Sequence, residues 1–399
     1  MLLLWSAVAV VVANTLHGAA LLTIHRGRRQ DATRSSAGPE VHAAAPEALT
    51  LVRPMRGLEP DAVATHETLY SGRCVPEEVL FVVESADDTA VEGVRPILER
   101  HPGRARLLVS QDTPPVPSAK VRNMIVGWKA ANTPLVGFCD SDIRLGPQHL
   151  AACVREFADP QVGGVSVPII YVSEGAVGRL KMLIETCDNA AFTNAAAYTQ
   201  FGTVTLGGLM IFRKAHFDAA GGVEPLGDAL ADDLRAGERL HRAGYKIRLA
   251  NAPLLHNSGP EPVRWSLARY HRWLTSIRTE IPVFFWLQFT LLNPMTATLF
   301  GALALSLMGS AWAPAAWGLF AVNALVRTAT AMVAERLLLR PYGIRLGAWV
   351  LARLPADLLL LATQIASLVF PFVYWRGRWF RVRWGSGRIL REITKPTTP

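Results

Sequence analysis

The chain has 399 residues, half of them hydrophobic, with a mean hydropathy of +0.22 and a formal net charge of +9. That apolar balance over that length excludes an ordinary soluble single domain. Four cysteines, Cys74, Cys139, Cys153 and Cys187, show no C-x-x-C spacing and no His at metal spacing, which argues against zinc. No basic patch with interleaved base-stacking aromatics occurs in the polar part, so no nucleic acid partner is expected.

Residues 1–25 open on an apolar run free of Asp, Glu, Lys and Arg. At 1.5 Å per residue it is long enough to cross a bilayer. Arg26, Arg28 and Arg29 follow the run instead of preceding it. That order argues for an uncleaved transmembrane anchor over a signal peptide and places the following chain in the cytoplasm. Residues 26–47, small, polar and Pro/Gly-containing, read as a linker.

Residues 48–260 have soluble composition. Strand-like "ALTLVRP", "EVLFVVES", "ARLLVS" and "LVGFCDSD" alternate with helical stretches near 61–71, 89–101, 120–131 and 147–158. Such alternation predicts an α/β domain with a mostly parallel, Rossmann-like sheet, whose ligands bind at the C-terminal strand ends. Asp87 and Asp88 follow one strand. Asp140 and Asp142, two residues apart, close another, on one face of its tip. This Asp-x-Asp reads either as a polar turn or as a seat for a hard divalent cation, Mg²⁺ or Mn²⁺. Lys120 and Asn123 open a helix after a Pro-rich loop, either as an ordinary helix start or as phosphate and base contacts. Gly207 and Gly208 lie in a strand-like stretch, where Gly marks a close backbone approach. Asp232 and Asp233 sit early in an amphipathic helix, favoured there by its dipole or aimed into a cleft as a base.

Residues 261–282 read as an interfacial helix carrying "RYHRW". Arg269, Arg272 and Trp273 share one face, suited to a diphosphate and a sugar or lipid headgroup, or to a snorkelling stripe. Apolar blocks at 283–311, 313–334 and 349–375 make residues 283–376 a membrane-embedded helical region. Pro294 in the first block, with Arg353, Pro355 and Asp357 in the last, points to broken or surface helices there. Residues 377–399 form a basic tail, whose Arg and Trp suit anionic headgroups.

In this order the motifs resemble the membrane-bound family 2-like glycosyltransferases, and in particular the ceramide glucosyltransferase family, grouped as family 21. That family shows three spaced acidic sites followed by (Gln/Arg)-x-x-Arg-Trp. Here these are Asp88 in "ESADDTA", Asp140 with Asp142 in "CDSDIR", Asp233 in "LADDL", and "RYHRW". "LVRPMRGLEP", "KVRN", "RKAHFDAAGGV" and "HNSG" support the match, while Glu84-Ser85 stand where the family more usually has Gln-Asp. The resemblance covers roughly residues 50–285 and the membrane topology.

It implies a GT-A fold and an inverting transfer of a sugar, glucose first, from a UDP-sugar to a membrane lipid hydroxyl, ceramide first. A hopanoid or other lipid acceptor, and N-acetylglucosamine, galactose or glucuronate donors, are alternatives. It implies Asp233 as base; Pro54, Glu84, Asp88, Lys120, Asn123, Asp140, Gly208 and Asp232 around the nucleotide sugar; Asp140 and Asp142 on Mg²⁺ or Mn²⁺; and Arg269, Arg272 and Trp273 at the diphosphate and acceptor. The expected setting is a bacterial-type cytoplasmic membrane with the catalytic domain cytoplasmic. A catalytically silent lipid-binding scaffold and a polysaccharide synthase are the competing readings.

Overall fold

The computed structural model describes residues 2–36, 47–111, 116–200, 205–257, 259, 262–291, 294–375, 378–383 and 388–393. The strands are β1 (Leu49–Pro54), β2 (Glu78–Val83), β3 (Ala105–Val109), β4 (Leu135–Cys139), β5 (Val162–Ser166), β6 (Ile169–Val172), β7 (Leu209–Arg213), β8 (Lys246–Leu249), β9 (Leu254–Asn257), β10 (Phe372–Trp375), β11 (Arg378–Val382) and β12 (Ile389–Ile393).

Seven of them form one sheet in the order β3-β2-β1-β4-β7-β5-β8. Pairings are parallel except at β7, which runs antiparallel to both neighbours. The expected mostly parallel α/β domain is therefore present. Its strands are apolar on both faces because both are covered. Alternate residues feed opposite layers: Leu51 and Phe81 pack with the helix Ala90–Arg100, Val52 and Leu80 with the helix Ala119–Ala130. Parallel strands end on one edge, which brings Glu84 after β2 and Asp140 after β4 to the same rim.

Three departures from the sequence reading matter for the site. The first helix spans Leu2–Ser36, so residues 26–36 of the expected linker are helical; 37–46 lie outside the described residues. No Pro and, after Gly27, no Gly interrupts that stretch. Gly27 itself lies against the Tyr198 ring so closely that a Cβ there would come within 2.2 Å of it.

As Pro294 led one to expect, the first C-terminal apolar block is broken into two helices, Pro282–Leu291 and Pro294–Leu307, with Pro294 opening the second. In the last block Arg353 and Asp357 are internal, not interfacial. Arg353 pairs with Asp357 at 3.0 Å and with Asp188 at 2.6 Å, and Asp188 also meets Arg327 at 2.7 Å. The arginines are neutralised within the helix bundle, which removes the need for a surface placement.

The described parts of the expected basic tail, 378–383 and 388–393, are in strands or paired to them. β10, β11 and β12 form an antiparallel sheet that packs on the catalytic domain, its Val373, Phe380, Val382 and Ile389 enclosing Leu230. The tail therefore lies on the same side as the catalytic domain. Among the described residues, two helices are long and apolar enough to cross a membrane, at Ser6–Gln30 and Ala313–Tyr342.

Candidate active site

The acidic groups expected from the sequence converge. Lys120, at the first turn of its helix, sets its Nζ 2.9 Å from Asp140 Oδ1 and 3.0 Å from Asp232 Oδ2. One ammonium thus draws together the end of β4 and the start of the helix Asp232–Arg242. The two carboxylates hold Lys120 protonated well beyond its ordinary range, against the opposing effect of burial.

Asp233, next in the chain, accepts hydrogen bonds from the backbone N–H of Gly207 at 2.7 Å and of Leu234 at 2.8 Å. Burial, reinforced by the Asp232 charge, pushes its carboxyl up to about 6, with Lys120 and the two N–H donors pulling the other way. The Gly207-Gly208 pair is what lets the backbone come so near: a Cβ at Gly207 would sit 3.1 Å from Asp233 Oδ2, and Gly208 has φ +93°. Gly208 O in turn accepts from Asp140 N at 3.0 Å.

Asp142 Oδ2 lies 3.2 Å from His256 Nε2. His256 arrives on β9, which pairs with β6 beside the main sheet. Below this rim Arg53 is fully buried in β1. Its guanidinium donates to Asp140 O at 2.8 and 3.2 Å, to Ile143 O, and meets His66 Nδ1 at 3.0 Å. It clamps the Asp140–Ile143 turn from inside the protein. Burial and Arg53 lower His66 to about 3, so that ring is a neutral acceptor.

Arg272 and Arg269 line the same cavity, with Trp273. Burial and the neighbouring Arg269 lower Arg272 to about 10, while Asp232, Asp233 and Asp140 support its charge. The Arg272 guanidinium lies over the Trp375 ring at 5.1 Å, and Trp273 packs on Tyr171 at 4.9 Å between centroids.

Other expected residues are placed differently. Asn123 Nδ2 donates to Met55 O at 3.2 Å and Val82 O at 3.0 Å, and its Oδ1 accepts from Ser110 at 2.6 Å. These bonds brace it under the rim, at the wall of the same cavity. Asp88 Oδ1 accepts from Gly57 N at 2.7 Å and Ala90 N at 2.9 Å, pinning the loop after β1 to the start of a helix. It borders a smaller polar pocket with Arg56, Glu84 and Arg122, in which Arg122 pairs with Glu84 at 2.8 Å. Pro54 ends β1 on the wall of the main cavity.

Sequence reasoning missed Arg53, His256 and the tail sheet. A lone Arg in the apolar "LTLVRP" was a signal for the first, and "HNSG" contained the second. The third depends on long-range pairing: Ile389 N donates to Asp228 O at 2.7 Å, Arg388 pairs with the Asp228 carboxylate at 3.3 Å, and Arg378 reaches Glu84 at 3.5 Å. The tail thereby fixes the loop leading into Asp232 and Asp233.

Among proteins of known activity, the chain is 23% identical over 357 residues to ceramide glucosyltransferase 1 of Caenorhabditis elegans, covering 88% of this chain and 75% of that one. It is 25% identical over 238 residues to ceramide glucosyltransferase 3 of the same organism, covering 57% and 50%. Among solved structures, a mannosyltransferase from Pyrobaculum calidifontis in complex with GDP-Man and Mn²⁺ superposes with a TM-score of 0.48 at 18% identity, over 91% of this chain and 98% of that chain. The sequence model of glycosyl transferase family 21 matches residues 6–388, nearly the whole chain. With that match, on a mostly parallel sheet whose rim gathers Asp140, Asp142, Asp232 and Asp233 with the Arg-x-x-Arg-Trp helix, the chain belongs to glycosyl transferase family 21.

Proposed function

We propose that this enzyme moves a single hexose, glucose first, from a UDP-sugar to the hydroxyl of a membrane lipid of the ceramide type, with inversion at the anomeric carbon. One observation carries the reading. A single cavity of about 1160 Å³ is lined both by Asp140, Asp232 and Asp233 and by Leu16, Ala20 and Phe192, from the N-terminal helix and its neighbour. A polar rim and an apolar wall in one space suit a nucleotide sugar meeting an acyl-chain lipid. The similarity to two ceramide glucosyltransferases supports the same acceptor class.

In this reading Asp233 removes the acceptor hydroxyl's proton as that oxygen attacks the anomeric carbon and the bond to the UDP oxygen breaks. The proton ends on Asp233. A carboxyl raised to about 6 is ionised at neutral pH and still basic enough for that task. Arg272 and Arg269 offset the charge gathering on the departing diphosphate. Glu84 and Arg122 border the nucleoside end, on the loop that Asp88 holds. Trp273 walls the acceptor.

Asp140 and Asp142, with His256 beside Asp142, would hold Mg²⁺ or Mn²⁺. Among the described residues no group of three or more His, Cys, Asp or Glu donors is preassembled. That fits an ion held by one or two carboxylates together with substrate phosphates. When bound, such an ion neutralises charge on the diphosphate.

The setting we infer is a bacterial-type cytoplasmic membrane, spanned by the N-terminal helix, with the catalytic domain on the cytoplasmic side. Arg26, Arg28 and Arg29 after the apolar run support it. Incorporation of radiolabelled sugar from UDP-sugars into extracted lipid tests the proposal. Wild type is expected to label a lipid and Asp233→Ala is not; labelling that survives Asp233→Ala removes the proposed base.

A further inference from the structure

The cavity wall contains a carboxylate that the transfer chemistry above does not use. Glu185 is 5% exposed and faces the same space as Asp233. It opens a π-helical turn, Glu185–Asn189, between the helices Gly175–Ile184 and Ala190–Thr199. Such widened turns recur at functional sites, because they re-aim side chains that a regular helix would stack. Here the turn presents Glu185 and Asn189 to the cavity, while Asp188 points away to Arg327 and Arg353.

Each following residue of the turn is tied down. Thr186 Oγ1 donates to Tyr171 O at 2.5 Å. His17 Nε2 meets Cys187 O at 2.8 Å. Asp188 holds its two arginines. Asn189 Oδ1 accepts from Gln288 at 3.1 Å. The turn is thus fixed to β6, to the N-terminal helix and to three membrane-side helices. The backbone that carries Glu185 is thereby held in place, which preorganises where its carboxylate meets the cavity. Tyr171 and Tyr270 lie near it, on a cavity wall that also carries the apolar Leu16, Ala20, Phe192 and Ile281.

We propose that Glu185 is the residue that recognises the acceptor's headgroup. Its carboxylate accepts a hydrogen bond from an N–H or O–H on the carbon next to the reacting hydroxyl, and so turns that hydroxyl toward Asp233. The inference rests on the lipid-glycosylation reading and narrows it. The favoured acceptor is a lipid with a hydrogen-bond donor vicinal to its primary hydroxyl, such as an N-acylated amino-diol. A diacylglycerol offers only ester oxygens at that place, which face the carboxylate as acceptor against acceptor. Glu185 is a positioning residue; it takes no proton.

The test uses the full-length protein in detergent or lipid nanodiscs with a UDP-sugar. An N-acyl amino-diol and a diacylglycerol of matched chain length serve as acceptors, with wild type, Glu185→Gln and Glu185→Ala compared. Wild type is expected to favour the N-acyl acceptor in kcat/KM by about 10- to 100-fold, the range of a hydrogen bond to a charged group. Glu185→Ala is expected to bring that ratio close to one, with the KM for the UDP-sugar and the binding of UDP alone unchanged. Glu185→Gln, matched in shape, is expected to retain part of the preference. Unchanged UDP binding and melting temperature exclude simple misfolding. If wild type glycosylates lipid but Glu185→Ala keeps the full preference, the assignment of Glu185 is wrong and the glycosyltransfer reading stands. If wild type glycosylates no lipid with any UDP-sugar, both fall.

Discussion

The Lys120 ammonium lies 2.9 Å from the Asp140 carboxylate, and its other contact is the Asp232 carboxylate at 3.0 Å. Without a ligand, this one cation holds together two acidic sites that lie far apart in sequence. Lys120→Met removes it and leaves the buried Asp232 and the partly exposed Asp140 facing each other, with Arg272 the remaining charge that acts on both. We expect a loss of about 2 kcal/mol in stability, below the full cost of a completely buried pair because water reaches Asp140. Chemical denaturation measures the stability. Added Mn²⁺ with UDP is expected to recover more of it in the variant than in wild type, because the carboxylates then gain a replacement cation.

Asp233 predicts the acid limb of the pH profile. Its raised carboxyl, near 6, must be ionised to act as base. Activity is therefore flat above about pH 7 and falls about tenfold per unit below 6, as the base form is lost. Asp232→Asn removes a neighbouring negative charge that helps raise Asp233, so the limb moves to lower pH. Asp233→Asn is expected to lower kcat by about 10²- to 10⁴-fold with little change in the KM for the donor. Initial rates across pH 5 to 9 check both directions.

The tail sheet predicts a requirement for the C terminus. Trp375 stacks under Arg272 and the sheet encloses Leu230, two residues before Asp232. Trp375→Ala removes the aromatic face under the guanidinium at the cavity wall. We expect weaker UDP binding, by about three- to tenfold, from loss of a buried cation–π contact of about 1 kcal/mol. Removal of residues 371–399 uncovers Leu230 as well and is expected to abolish transfer while the seven-stranded sheet remains folded. Circular dichroism and UDP titration separate these outcomes.

Arg53→Lys tests the clamp beneath the Asp140–Ile143 turn. A lysine cannot reproduce the fork that reaches Asp140 O, Ile143 O and His66 together. A loss of about 2 kcal/mol is expected from the backbone acceptors left buried, with Mn²⁺ dependence shifted to higher concentration. Metal titration of the rate measures that shift.

The sheet and its acidic rim were legible because their signals are local. Apolar runs of strand length end in Asp140 or Glu84, and strand alternation forces those ends to one edge. The helix start at Lys120 was legible too, but not its double bridge, since Asp232 lies over a hundred residues away. Asn123 does line the cavity, but its bonds to Ser110 and the strand carbonyls were not legible, because those partners come from other elements. The tail was misread because Arg and Trp after an apolar run suit a headgroup layer and a cation–π platform equally. Only its pairing with Asp228 and Ala229 decides between them. The linker was misread at its start because polar residues such as those of 26–36 can also extend a helix already nucleated by the apolar run.

The most direct measurement is the product itself. Purified full-length protein, Mn²⁺, one UDP-sugar at a time and an N-acyl amino-diol lipid are incubated, and the lipid is analysed by mass spectrometry and anomeric proton NMR. The expected result is a lipid heavier by one hexose, in the anomeric configuration opposite to the donor's, absent with Asp233→Asn. A polymer, a product with retained configuration, or equal yield from Asp233→Asn contradicts the mechanism proposed for these carboxylates.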